Sequence, residues 1–103
     1  MARYKLIAMC NAIEGRDADL NKWYDGTHLP DMLKIPGFIS GQRFRSFPGS
    51  PYNYVAIYEI ETNDLPAAMA EIGKRAGTAQ MRISDAIDGA NAQMVFCQPY
   101  QTS

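Results

Sequence analysis

Three segments of this 103-residue chain carry apolar side chains on both faces of extended backbone, and that restricts the folds open to it. In "YKLIAMCNA", residues 4–12, Tyr4, Leu6, Ala8 and Cys10 alternate with Ile7 and Met9. In "YNYVAIYEIET", residues 52–62, Tyr52, Tyr54, Ala56, Tyr58 and Ile60 alternate with Val55 and Ile57. In "NAQMVFCQP", residues 91–99, Val95 and Cys97 alternate with Met94 and Phe96. Successive side chains of a strand point to opposite faces. An open antiparallel sheet with one wet face alternates apolar with polar residues. A sheet made of these three segments therefore needs cover on both sides.

The chain offers two helical regions as cover. Asp17 is placed to cap a helix over residues 18–26. Thr27 caps a second short helix, with His28 and Leu29 in its first turn, Pro30 tolerated near its start, and Pro36-Gly37 closing it. "FISGQRFRSF", residues 38–47, alternates as a strand, and "PGSP", residues 48–51, is hairpin-loop chemistry. Asn63 or Asp64 caps another helix with Pro66 in its first turn, ending at Gly77. "TAQMRISDAI", residues 78–87, reads as a further short helix.

The order is βαββαβ with a split second helix. This is the α+β ferredoxin-like order: one domain, 1–103, with a four-stranded antiparallel sheet and its helices on one face. Two helices cover one face only. The other is predicted to meet a second copy, giving a two-fold homodimer whose sheets form a barrel-like core.

Composition narrows the function. Net charge is −1 with acids and bases interspersed, so no electrostatic footprint for nucleic acid or anionic lipid is present. No run approaches the ~20 apolar residues of a membrane span. The opening Met1-Ala2-Arg3-Tyr4 has no apolar signal-like region, and a cytoplasmic protein is expected. Cys10 and Cys97 sit in apolar strand patterns and are expected to be buried. There is no Cys-x-x-Cys and only one histidine, so no metal site is expected.

The segment "KWYDGTHLPDMLKIPG", residues 22–37, holds the only tryptophan and the only histidine. With the βαββαβ order and the length, its Trp23-Tyr24, His28, Pro30 and Pro36-Gly37 resemble the dimeric α/β-barrel proteins, and within them the small EthD-like group. The resemblance spans nearly the whole chain. It implies a dimeric α/β barrel with a pocket between the helices and the sheet of each subunit. It does not choose a reaction, because the superfamily holds cofactor-free oxygenases, lactone isomerases, polyketide cyclases and haem enzymes.

His28 is the candidate proton carrier, since its unperturbed pKa lies near neutrality. Tyr24 lies four residues before it and Asp31 three after, spacings that share a helix face. Asp31 or Asp25 would orient the imidazole, and Tyr24 would donate to an oxyanion. Of Trp23 and Tyr24, one packs on the sheet and the other lines the pocket or contacts the partner. Tyr54 and Tyr58 offer an aromatic wall for a ring-bearing ligand, and Arg43 a cation for a carboxylate or phenolate. The alternative for each is structural: a helix-end histidine, a first-turn acid, core aromatics and a surface arginine. The expectation is a cofactor-independent isomerase, cyclase or lyase acting on an apolar, aromatic or enolisable metabolite. The rivals are a cofactor-free monooxygenase and a non-catalytic ligand-binding accessory protein of a catabolic pathway. No cofactor is expected; haem ligation would compete with proton transfer for the same histidine.

Overall fold

The computed structural model describes residues 1–100. Its elements are β1 (Ala2–Cys10), α1 (Asp17–Trp23), a π turn (Tyr24–His28), α2 (Leu29–Met32), β2 (Phe38–Arg45), β3 (Tyr54–Thr62), α3 (Leu65–Arg75), a 3-10 turn (Gly89–Asn91) and β4 (Gln93–Cys97). The strands form one antiparallel sheet in the order β2-β3-β1-β4. The central strands are the two longest apolar segments, and each is paired on both edges. Five strand ends, both of β4 among them, stop two residues short of the apolar pattern, and β1 begins two residues earlier than it suggested.

Register settles which side chains face the helices. Tyr4 pairs with Ile60, Leu6 with Tyr58, Ala8 with Ala56 and Cys10 with Tyr54. Leu6, Cys10, Tyr54, Ala56, Tyr58 and Ile60 are buried there with Leu20, Tyr24 and Met32 from the helical segment, Ile35 from the turn after it, and Ala68 and Ile72 from α3. Gly41 on β2 pairs with Tyr58, and the approach is close. A Cβ at Gly41 would lie 2.8 Å from Tyr58 Cδ1 and 3.0 Å from Leu29 Cδ1, so only glycine lets the phenol ring lie flat on β2.

The opposite face carries Ile7, Met9, Val55 and Ile57, all half-buried, with Phe44 and Val95 at 43% and 42% exposure. Glu59 pairs with Lys5, and Glu61 with Arg3, at one end of this face. None of its register partners belongs to the helix-facing set. Cys97 lies here, half-buried, not fully buried as the sequence pattern suggested. Among the described residues no helix is long and apolar enough to cross a membrane.

Three local readings change. The expected break at Gly26–Thr27 is absent: α1, the π turn and α2 run on without interruption, and Thr27 caps nothing. Pro30 has no N–H and its ring crowds the carbonyl four residues earlier. The wider π register, in which the Leu29 N–H donates to the Tyr24 carbonyl, absorbs that defect inside the helix. Asp17 is the first helical residue and not a side-chain cap; its carboxylate is used elsewhere. Residues 78–87 form no helix. Thr78 Oγ1 accepts the Gln80 N–H and Ser84 Oγ accepts the Ala86 N–H, so these side chains compete with helical bonds. The segment is a strap, tied down where the Ile13 N–H donates to the Ala86 carbonyl at 2.8 Å. The second helix is therefore the single α3, begun by Asp64, whose side chain accepts the Ala67 N–H at 3.1 Å.

Candidate active site

The π turn sets the site. Trp23 ends α1, Tyr24 opens the turn and His28 closes it, and this spacing brings three rings together. The His28 imidazole stacks on the Trp23 indole, centroids 4.6 Å apart and planes 21° apart. It meets the Tyr24 ring edgewise at 4.8 Å and 82°. His28 Nδ1 is buried and, among the described residues, is the one buried side-chain polar atom without a hydrogen-bond partner. Burial pushes the imidazole pKa down to about 4; the Asp31 charge opposes that shift and the Arg43 charge adds to it. His28 is therefore neutral at physiological pH.

Beneath the ring cluster, the Tyr24 and Tyr58 hydroxyls are 3.2 Å apart, with 4% and 0% of these residues exposed. Burial raises both phenol pKa values, so both stay protonated. Arg43 lies over the face of Tyr24, 4.4 Å from its centroid, and 5.5 Å from that of Tyr54. Its guanidinium donates to Asp25 Oδ1 at 3.0 Å and Asn21 Oδ1 at 2.9 Å. The Tyr54 hydroxyl donates to Asp17 Oδ2 at 2.6 Å. Asn21, Asp25, Arg43, Phe44, Arg45 and Tyr54 line a cleft of about 250 Å³. Cys10 lies in this part of the core, where burial raises its thiol pKa against the nearby Arg43 charge.

The expected site residues thus fall into three places. Trp23, Tyr24 and His28 form the ring cluster, with Tyr58 below it. Asp25, Arg43 and Tyr54 line the cleft, with Arg43 lying over the Tyr24 ring. Asp31 stands apart. It is 1% exposed, and its carboxylate accepts from the Arg82 backbone N–H at 3.2 Å and from Arg82 Nη2 at 3.1 Å. The arginine beside it holds its carboxyl below the usual range. Neither Asp31 nor Asp25 makes a hydrogen bond to His28. The helix face shared by His28 and Asp31 was legible, but the salt bridge to a residue 51 positions later was not.

Asn21, Asp17 and Arg45 also belong to the cleft or its rim and were not expected there from sequence, Asp17 having been read only as a helix cap. A signal for two of them was present: Asp17, Asn21 and Asp25 recur every four residues, one polar stripe on one helix face. Arg82 left no such signal.

No family model and no curated protein matches the chain. Solved structures do. SnoaB, a cofactor-independent oxygenase from Streptomyces nogalater, is similar with a TM-score of 0.64 and 16% identity, covering 99% of this chain and 97% of that one. An ethyl tert-butyl ether d (EthD) family protein from Bacillus halodurans is similar at 0.52 and 20%, covering 94% and 98%. A dimeric ferredoxin-like protein from an uncultured marine organism is similar at 0.62 and 12%, covering all of both chains. The chain therefore has the ferredoxin-like α+β fold that these solved structures share.

Proposed function

We propose that this protein is a cofactor-independent enzyme that moves a proton on an aromatic or enolisable metabolite, with His28 as the base. The observation that carries the reading is the unpartnered Nδ1 of His28. A buried polar atom left without a partner costs about 1–3 kcal/mol, and native proteins retain few of them. A ligand bearing an acidic C–H or O–H supplies the missing partner. The imidazole is unprotonated at neutral pH and ready to accept. Its low basicity in the free protein is offset once a ligand anion forms against it, because an opposite charge favours imidazolium. The Arg43 cation over the Tyr24 ring favours the same anion, and Tyr24 and Tyr58 remain protonated donors. His28 does this without a carboxylate to orient it, Asp31 being engaged by Arg82.

Isomerisation, cyclisation and elimination all begin with such a deprotonation. So does oxygenation, in which the electron-rich anion meets oxygen directly; the likeness to SnoaB favours this second reading. The apolar open face of the sheet supports a homodimer, with a second copy covering Ile7, Val55, Ile57 and Val95. His28→Gln and His28→Ala test the base. Loss of turnover by about 10²-fold or more, with ligand affinity kept within about tenfold, supports the enzyme. Loss of affinity alone, or no change, supports a binding module and overturns the assignment.

A further inference from the structure

The Trp23 indole covers one face of the half-buried His28 imidazole, and the Tyr24 ring abuts it at a steep angle. The two rings are held very differently. Tyr24 is buried, joined to Tyr58 and covered by Arg43. Trp23 is half-buried, and its one polar tie is Nε1–H donating to the Arg82 carbonyl at 3.1 Å.

Arg82 belongs to the strap of residues 76–88 that joins α3 to the 3-10 turn. The strap is fixed at both ends. Met81 and Ala86 are buried, the Gly77 N–H donates to the Met81 carbonyl at 2.9 Å, and the Asp88 N–H donates to the Asn11 carbonyl at 3.0 Å. Between these points Arg82 and Ile83 are exposed, and Asp85 is held only at the surface by Arg16. What binds the middle of the strap to the helical segment is Arg82. Its N–H and guanidinium donate to Asp31 and its carbonyl accepts from Trp23. Those two helical residues bracket His28 in the chain. The Asp31 carboxylate, buried and held ionised by Arg82, has no other hydrogen-bond donor among the described residues.

We propose that the Trp23 indole is a lid over His28 and that Arg82 is its latch, a positioning residue that sets when the imidazole is open to a ligand. Losing the Arg82–Asp31 pair frees the middle of the strap, takes the acceptor away from Trp23 Nε1, and lets the indole swing off the imidazole. The occupant of the vacated place is a flat ring, because the surface the indole leaves is an imidazole face. The lid has a catalytic meaning only on the reading of His28 given above, but its existence does not depend on it.

One tryptophan and one histidine make the test specific. Arg82→Ala, Arg82→Lys and the double variant Asp31→Asn/Arg82→Ala are compared with the wild type at neutral pH. The double variant leaves no unpaired charge buried, should the single variant fold poorly. Two rates are read: carbethoxylation of His28 by diethyl pyrocarbonate, and acrylamide quenching of Trp23 fluorescence. Arg82→Ala and the double variant are expected to carbethoxylate about tenfold faster, as loss of a charge-assisted hydrogen bond shifts an opening equilibrium. Quenching rises with it, and Arg82→Lys, which keeps one charged donor, falls between. Natively folded variants with both rates at the wild-type value overturn the latch. Neither readout uses turnover, so a His28→Gln variant that stays active would refute the enzyme reading and leave the latch standing.

Discussion

Lowering the pH from 7 to 5 should cost this protein about 2 kcal/mol through His28 alone. In the unfolded chain the imidazole titrates near its ordinary 6.5, whereas in the folded protein burial beside Trp23 and Tyr24 holds it at about 4. Between those values the unfolded state binds a proton that the native state does not, so stability falls as pH drops. The effect is nearly absent at pH 7, reaches about 2 kcal/mol by pH 5, and levels off at about 3 kcal/mol below pH 4. Urea unfolding of wild type and His28→Gln at the two pH values, at one protein concentration, measures it as a difference of differences. Asp31 and Glu71, whose carboxyls are held low by Arg82 and Arg75, lose their stabilising charge only under more acid conditions and do so in both proteins. A wild type whose pH dependence matches that of His28→Gln within about 0.5 kcal/mol would refute the burial of the imidazole.

Gly41→Ala should destabilise by about 1–3 kcal/mol, lowering Tm by several degrees, because the new Cβ meets the Tyr58 ring and Leu29. In a Tyr58→Ala background the same change should cost clearly less, only the Leu29 contact remaining, and an undiminished penalty there would point to a different clash. Ile57→Glu places a charge at the centre of the open face, beside Ile7 and in line with Val95. Sedimentation should then shift from twice the chain mass to one, since an unpaired charge buried between two sheets is expensive; a variant that still sediments as a dimer would place the interface elsewhere.

Alternation along β1, β3 and β4 carried the architecture, because period-two patterning needs no knowledge of partners. It left open which parity faced the helices, since both were apolar. Tyr54 and Tyr58 are buried on the helix side because Gly41 and the small Ala56 leave room for their rings there. The helix boundaries at Gly26–Thr27 were misleading: Gly, Thr and Pro are breakers by propensity, yet a π register let one helix absorb Pro30. That same register places His28 against Trp23 and Tyr24. The strap was misjudged for the converse reason, since its apolar spacing resembles a helix while Thr78 and Ser84 bind their own backbone. At the site, neighbours along the helix were legible and partners across the fold were not. Tyr24 and His28 share a face by spacing alone, but that Asp31 would hold Arg82 and not the imidazole depends on where the chain returns after α3.

The proton transfer assigned to His28 can be watched without knowing the overall reaction. Enolisable and phenolic metabolites are incubated in D₂O with wild type and with His28→Gln, and exchange of each acidic carbon-bound proton is followed by NMR. The wild type should accelerate exchange in one structural class of ligand, with the acceleration lost in His28→Gln. Equal exchange with the two proteins would contradict a catalytic base at His28.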